Sequence, residues 1–248
     1  MKAIILAAGY ATRLYPLTKD RPKALLDVAG RSLLDRICDQ IEPIAVVNEI
    51  VIISNHRFIE AFQVWAARRQ ANRQLKPVKV IDDGTTSEED RLGAIGDLDF
   101  AIRQLQLDED ILVIAGDNLF TYNLKEIYDS YSLDGRDMIL GQKLSAQEDP
   151  TRFAIAVMDD RGSLLDLEEK PRQPKSDIAI YATYFYRRDT LPLIRQYLQA
   201  GLNPDSPGHF PEWLYKRKSV RVYLFSGDCY DIGTKESYAY VQELFSRQ

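Results

Sequence analysis

The sequence predicts an α/β fold built on a doubly wound, Rossmann-like mixed sheet, and three observations carry that prediction. Short apolar runs alternate with segments of helical periodicity through Ala115, the arrangement expected of βα units around a buried parallel sheet. After Asp117 the pattern changes to closely spaced strands broken by turn residues, which marks a strand-rich second half. With 248 residues, 45% of them hydrophobic, the chain can bury one sizeable core.

The strands of the first half are Ala3–Leu6, Ile50–Ser54, Val78–Ile81 and Ile111–Ala115, each a short segment rich in β-branched or aliphatic residues. Helices fall between them. Leu33, Leu34, Ile37 and Ile41 recur at helical spacing, as do Phe58, Phe62 and Trp65, and Asp99 to Leu107 reads as the end of a third helix. In the second half Asp137–Gln142, Arg152–Met158, Leu164–Leu167 and Ile178–Tyr186 read as strands. Pro171, Pro174 and Asp159-Asp160-Arg161-Gly162 separate them. Val220–Phe225 is a last strand, and a helix from about Lys235 carries Val241, Leu244 and Phe245. No repeat or long linker interrupts the chain. A single domain over 1–248 is expected, in two halves, 1–120 and 121–248.

Composition removes several function classes. His56 and His209 are the only histidines and Cys38 and Cys229 the only cysteines, too few for zinc sites or Cys/His nucleophile systems. His56 reads as a strand-end residue. The net charge of −5 does not favour nucleic acid. The basic run Arg68, Arg69, Arg73 lacks interleaved aromatics and reads as a solvated helix face. No stretch approaches the ~18 apolar residues of a membrane span, and the apolar start is too short for a secretion signal. A cytoplasmic protein with no membrane partner is expected; a homo-oligomer is left open.

The chemistry concentrates after the first strand. Ala7, Ala8, Gly9 and Ala11 leave backbone amides unshielded, and Arg13, Lys19, Arg21 and Lys23 follow closely. Bare amides with arginine and lysine suit a polyanion such as a phosphate chain. The G-x-G-x-x-G fingerprint and the G-x-x-x-x-G-K-[ST] loop are both absent, which sets aside dinucleotide and P-loop folds. Further on, Val113-Ile114-Ala115-Gly116-Asp117-Asn118 ends a buried strand on a carboxylate, at the sheet edge where open α/β folds bind ligands.

The segment from Leu6 to Lys23 resembles the phosphate-binding loop of the sugar-1-phosphate nucleotidyltransferases, whose pattern runs L-A-G/A-G-x-G-T-R-L-x-P-L-T and then P-K. Gly9, Thr12, Arg13, Leu14, Pro16, Leu17, Thr18, Pro22 and Lys23 match it, and Ala11 stands where the family usually has a second glycine. Three further blocks resemble the same family: Gly116-Asp117, Glu168-Glu169-Lys170-Pro171, and Asp231-Ile232-Gly233-Thr234. A weaker one is Arg91-Leu92-Gly93-Ala94-Ile95-Gly96. The resemblance implies the nucleotide-diphospho-sugar transferase type of fold and transfer of a nucleoside monophosphate from a nucleoside triphosphate to a sugar 1-phosphate, with release of pyrophosphate.

It also implies roles. Arg13 and Lys23 would be catalytic on the phosphates, with Leu6, Ala8, Gly9, Ala11, Thr12 and Gly93 around the nucleotide. Asp117 and Asp231 would hold Mg²⁺. Glu169, Lys170, Ala154 and Ile180 would receive the acceptor, with Glu169 on the sugar and Lys170 on its phosphate. Asp228 reads as a structural turn residue. Since Thr12, Arg13 and Lys23 are retained around it, Ala11 is expected at negative φ with its amide facing the phosphates.

Departures from the family pattern bear on the acceptor. Ala154 and Ala182 stand where many relatives place glycine, and Asp205–Phe210 replaces a segment that supplies an arginine in thymidylyl-transferring relatives. An unusual sugar phosphate, or an inositol or choline phosphate, is therefore an alternative acceptor. Two other classes compete: a Mg²⁺-dependent glycosyltransferase using Asp97-Leu98-Asp99 as its D-x-D, and a non-catalytic regulatory homologue. The chain ends soon after Phe245, so no appended acyltransferase domain is expected.

Overall fold

The computed structural model describes residues 1–247. Its elements in chain order are β1 (Lys2–Leu6), β2 (Asp27–Val28), β3 (Arg31–Ser32), α1 (Leu33–Ile41), β4 (Glu49–Ser54), α2 (Ile59–Gln70), β5 (Val78–Asp82), α3 (Ala94–Gln104) and β6 (Ile111–Ala115). There follow β7 (Asn118–Phe120), α4 (Leu124–Leu133), β8 (Asp137–Lys143), β9 (Ala154–Met158), β10 (Leu164–Glu169) and β11 (Ile178–Tyr186). The chain closes with α5 (Leu191–Gln199), α6 (His209–Leu214), β12 (Val220–Leu224), β13 (Cys229–Asp231) and α7 (Lys235–Ser246). Two compact units emerge. The first takes Met1–Leu92, Ile114–Lys125 and the chain from Gly227; the second takes Gly93–Val113 and Glu126–Ser226.

In the first unit β4 pairs in parallel with β1 on one side and β5 on the other, Ile4 facing Val51 and Ile52 facing Val80. Ile4, Ile5 and Ile50 to Ile53 are wholly buried, as near-continuous apolar runs should be in a parallel sheet covered on both faces. Helix α1 buries Leu33, Leu34, Ile37 and Ile41, the residues whose spacing predicts it. Ser32 caps it, its hydroxyl accepting from Asp35 N at 3.1 Å. Phe58 belongs to the 3₁₀ turn before α2 rather than to the helix, and Trp65 on α2 donates to Asp35 Oδ1 at 3.0 Å.

The solvated basic face expected at Arg68, Arg69 and Arg73 needs correction. Arg69 is buried and pairs with Glu42 at 2.6 Å, its guanidinium over the Trp65 ring. A buried arginine is tolerated because its charge is paired there. Arg68 and Arg73 are exposed. Helix α7 is fastened to this unit by a cluster of Val28, Leu33, Leu119, Ile232 and Val241, and begins with a capping box in which Thr234 and Ser237 bond reciprocally.

In the second unit the strands form a mixed arrangement. β9 is antiparallel to β10 and β11, β8 is antiparallel to β11, and β12 runs parallel to β8. The expected strand at Arg152–Met158 starts two residues later, because Pro150–Arg152 forms a 3₁₀ turn capped by the Asp149 carboxylate. A network of charge lies below. Asp137 is fully buried; it accepts from Thr190 Oγ1 at 2.8 Å and from Arg187 N at 2.7 Å, and pairs with Lys218 at 3.1 Å. The third helix, of which Asp99 to Leu107 reads as the end, starts at Ala94, so Asp97 and Asp99 sit inside it.

Candidate functional site

The loop of the first unit leaves β1 at Leu6, whose carbonyl accepts from Gly116 N at 2.9 Å. That contact explains the glycine before Asp117: a Cβ on Gly116 would lie 3.0 Å from Leu6 O and 3.2 Å from Ile5 Cγ2. Ala8 is buried, with its carbonyl accepting from Asn55 Nδ2 at 2.8 Å, whereas Gly9, Thr12 and Arg13 are exposed. Tyr10 is buried and its hydroxyl donates to Thr85 Oγ1 at 3.3 Å, which ties the loop to the segment following β5. His56, just past β4, pairs with Asp82 at 2.6 Å, consistent with its strand-end placement.

Ala11 has φ +49 and ψ +41, the left-handed conformation, contrary to the negative φ expected for it. The loop is over-determined from outside. Thr18 is fully buried and its hydroxyl donates to Ala11 O at 2.8 Å, and Leu14 N donates to the same carbonyl at 3.0 Å to close the 3₁₀ turn Thr12–Leu14. These bonds hold a conformation that costs an alanine roughly 1–2 kcal/mol. The motif threonine at 18 thus acts as the clamp of the loop.

Lys23 Nζ lies 2.8 Å from Asp117 Oδ2 and 3.6 Å from Asp231 Oδ1. Its side chain is largely buried. Both carboxylates are delivered by one local device, the antiparallel pairing of β7 with β13, in which Asn118 faces Asp231. Ile232 N donates to Asp117 O at 3.3 Å, and Asp228 ends the neighbouring turn, its N donating to Thr121 Oγ1 at 2.9 Å. Asp231 is exposed, and at its carboxylate the like charge of Asp117 is opposed by the positive charges of Lys23 and Arg13. Two carboxylates sharing one ammonium form a hard-oxygen pair that suits Mg²⁺, which needs only one or two carboxylates when phosphates and water complete its shell. Among the described residues no cluster of three or more His, Cys, Asp or Glu side chains forms a self-sufficient metal cage.

The second unit assembles the other predicted residues. In the strand register Ala154 faces both Glu169 on β10 and Ile180 on β11, so residues from three separate sequence blocks form one row. Glu169 is mostly buried, and Lys170, at φ +50, turns out of β10 with its N donating to Phe153 O at 3.0 Å. Lys170 Nζ is exposed, 3.7 Å from Glu169 Oε1. Gly93, at φ +78, precedes α3. Asp97 and Asp99 are buried in α3, with Asp99 held by Arg103 at 2.7 Å, so they are not an exposed D-x-D. Ser206 and Gly208, inside the Asp205–Phe210 stretch already read as bearing on the acceptor, both lie against Glu169, a contact that the sequence alone did not assign.

The family model described as nucleotidyl transferase matches residues 2–248. The chain belongs to that family. It is 31% identical over 238 residues to a protein of Sulfolobus acidocaldarius provisionally named a mannose-1-phosphate guanyltransferase, covering 96% of this chain and 61% of that one. It is 30% identical over 186 residues to glucose-1-phosphate thymidylyltransferase of Streptomyces antibioticus, covering 75% of this chain and 49% of the relative. The chain thus spans between about half and two thirds of the length of these two relatives. Among solved structures, UDP-glucose pyrophosphorylase complexed with UDP-glucose superposes with a TM-score of 0.83 at 18% identity, covering 99% of this chain and 98% of that one. A provisionally named glucose-1-phosphate thymidylyltransferase from Bacillus anthracis, solved with sucrose, gives a TM-score of 0.81 at 24% identity, with 100% and 96% coverage. This family member therefore has the nucleotide-diphospho-sugar transferase fold. Among its described residues no helix is long and apolar enough to cross a membrane.

Proposed function

We propose that the protein transfers a nucleoside monophosphate from a nucleoside triphosphate to a sugar 1-phosphate and releases pyrophosphate. The observation that carries this reading is the convergence of Lys23, Asp117 and Asp231, from three distant sequence blocks, on one point within electrostatic reach of Arg13. Arg13 and the loop amides hold the leaving β,γ-phosphates, and Lys23 contacts the α-phosphate as charge develops. Leu6, Ala8 and Gly93 belong to the nucleotide-binding set. Asp117 and Asp231 would hold Mg²⁺, which would supply charge neutralisation for the phosphates. Glu169 accepts from acceptor hydroxyls, Lys170 grips the acceptor phosphate, and Ala154 and Ile180 form the floor. A phosphate dianion is already a nucleophile, so positioning and charge stabilisation suffice without a general base.

The working compartment consistent with such substrates is the cytoplasm. A pyrophosphate-release screen of ATP, GTP, UTP, dTTP and CTP against glucose 1-phosphate, mannose 1-phosphate, inositol 1-phosphate and phosphocholine tests the reading. Turnover with one triphosphate and a sugar 1-phosphate supports it. Turnover only with inositol or choline phosphate would move the acceptor class, and no release with any pair would favour a regulatory homologue.

A further inference from the structure

The acceptor row is backed by a segment that no family motif announces. Ser206 Oγ donates to Glu169 Oε1 at 3.0 Å. Gly208 is buried against the other oxygen: a Cβ there would overlap Glu169 Oε2 and lie 3.6 Å from Ala154 Cβ. Backbone conformation does not call for glycine at this position, since φ −69 and ψ −22 are ordinary helical values that alanine adopts readily. What glycine leaves at 208 is room for the carboxylate.

The segment is itself fixed. Pro204 and Asp205 press on Gly93, whose Cβ would lie 2.7 Å from Pro204 O and 3.0 Å from Asp205 Cα. Ile95 N and Ala94 N donate to Pro204 O and Asp205 O at 2.9 and 3.3 Å. Tyr197 OH donates to Asn203 O at 2.6 Å, and Phe210 is buried beyond the other end. A long glutamate side chain ordinarily loses rotamer freedom when it binds a ligand. Here one oxygen is tied to a hydroxyl and the other rests against a bare Cα.

We propose that residues 204–208 form a seat that pre-orients the Glu169 carboxylate toward acceptor hydroxyls, with Ser206 as the positioning residue and Gly208 as the specificity-determining one. The inference rests on the reading of Glu169 as an acceptor ligand. Because the same segment backs Gly93, changes in it can be checked separately at the nucleotide and acceptor ends.

The test uses the best acceptor of the screen above and its single-deoxy analogues, with Ser206→Ala, Ser206→Thr, Gly208→Ala and Glu169→Gln, and with Tm recorded for each variant. Ser206→Ala is expected to raise acceptor KM about ten- to a hundredfold, the range for a hydrogen bond to a charged group, with triphosphate KM and Tm near wild type. Ser206→Thr, which keeps the hydroxyl, should restore most of the loss. The deoxy analogue that costs most in the wild type should cost least in Ser206→Ala. Gly208→Ala should keep or raise Tm yet raise acceptor KM at least as much. If Glu169→Gln raises acceptor KM while Ser206→Ala and Gly208→Ala leave it unchanged, the seat is overturned and the role of Glu169 stands. If Glu169→Gln leaves acceptor KM unchanged, both fall. Equal losses for both substrates with a lowered Tm would make the segment purely structural and overturn the proposal.

Discussion

Lys23 Nζ meets Asp117 Oδ2 at 2.8 Å, a contact between residues 94 positions apart in the chain. The ammonium also lies within 3.6 Å of Asp231, so one positive charge serves two carboxylates. That excess of negative charge is what a divalent cation would offset.

Replacing Asp117 or Asp231 with Asn is therefore expected to abolish turnover while the fold survives, because neither substitution opens a cavity or buries an unpaired charge. Loss of a metal ligand should cost of order a hundredfold or more in rate. Steady-state pyrophosphate release and circular dichroism on each variant give the answer; near-normal activity in Asp231→Asn would take that residue out of the site.

The two basic residues proposed for opposite ends of the reaction should separate in binding. Lys170→Ala is expected to weaken acceptor binding far more than triphosphate binding, and Arg13→Ala to do the reverse. Both side chains are exposed, so folding is spared. Calorimetric titration of each ligand into each variant checks this, and equal losses in all four titrations would mean the partition of phosphates is wrong.

At Ala11 the left-handed backbone makes a stability prediction. Glycine adopts φ +49 without strain, which returns roughly 1–2 kcal/mol. It also gives the unfolded chain about 0.4–1 kcal/mol of added entropy. Ala11→Gly should then leave Tm unchanged or slightly raised and change triphosphate affinity by less than about tenfold. A clear fall in Tm on thermal melting would show that the alanine methyl packs where the loop needs it.

Acid should find the second unit through Asp134. Hydrogen bonds from Arg136, at 2.7 and 2.8 Å, bring its carboxyl down from 3.8 to about 2. A carboxyl lowered in the folded state contributes stability above its unfolded value and loses it as pH falls through the folded value. The window is thus about pH 4 to about pH 2, and the stake is up to about 2 kcal/mol. Urea unfolding of wild type and Asp134→Asn across that range should show curves that converge at the acid end; a constant gap would assign the difference to something other than this titration.

How much was legible in advance can be seen element by element. β1, β4 and β6 were readable because strands buried on both faces are near-continuous apolar runs, β5, at the sheet edge with Lys79 exposed, from Val78, Val80 and Ile81, and α1 because its buried residues keep a 3.6-residue period. β7 and β13 carry three residues each, too short for any periodicity, yet their pairing is what delivers Asp117 and Asp231 to Lys23. Arg69 looked solvated because burial of a charge depends on a partner, Glu42, that lies 27 positions away.

The sequence by itself determined the chemistry on offer: a glycine- and alanine-lined loop followed by Arg13 and Lys23, isolated acidic and basic blocks, and too few histidines and cysteines for a zinc site or a Cys/His nucleophile. Those are properties of residue type and local spacing. Tertiary structure alone decided which blocks meet, that Ala154, Glu169 and Ile180 share one row, and that Ser206 and Gly208 brace the carboxylate there. It also decided the sign of φ at Ala11, because the bond from buried Thr18 outweighs a local preference worth only a kcal/mol or two. Strand register and long-range hydrogen bonds are properties of pairs of segments, and a single segment read along the chain does not contain them.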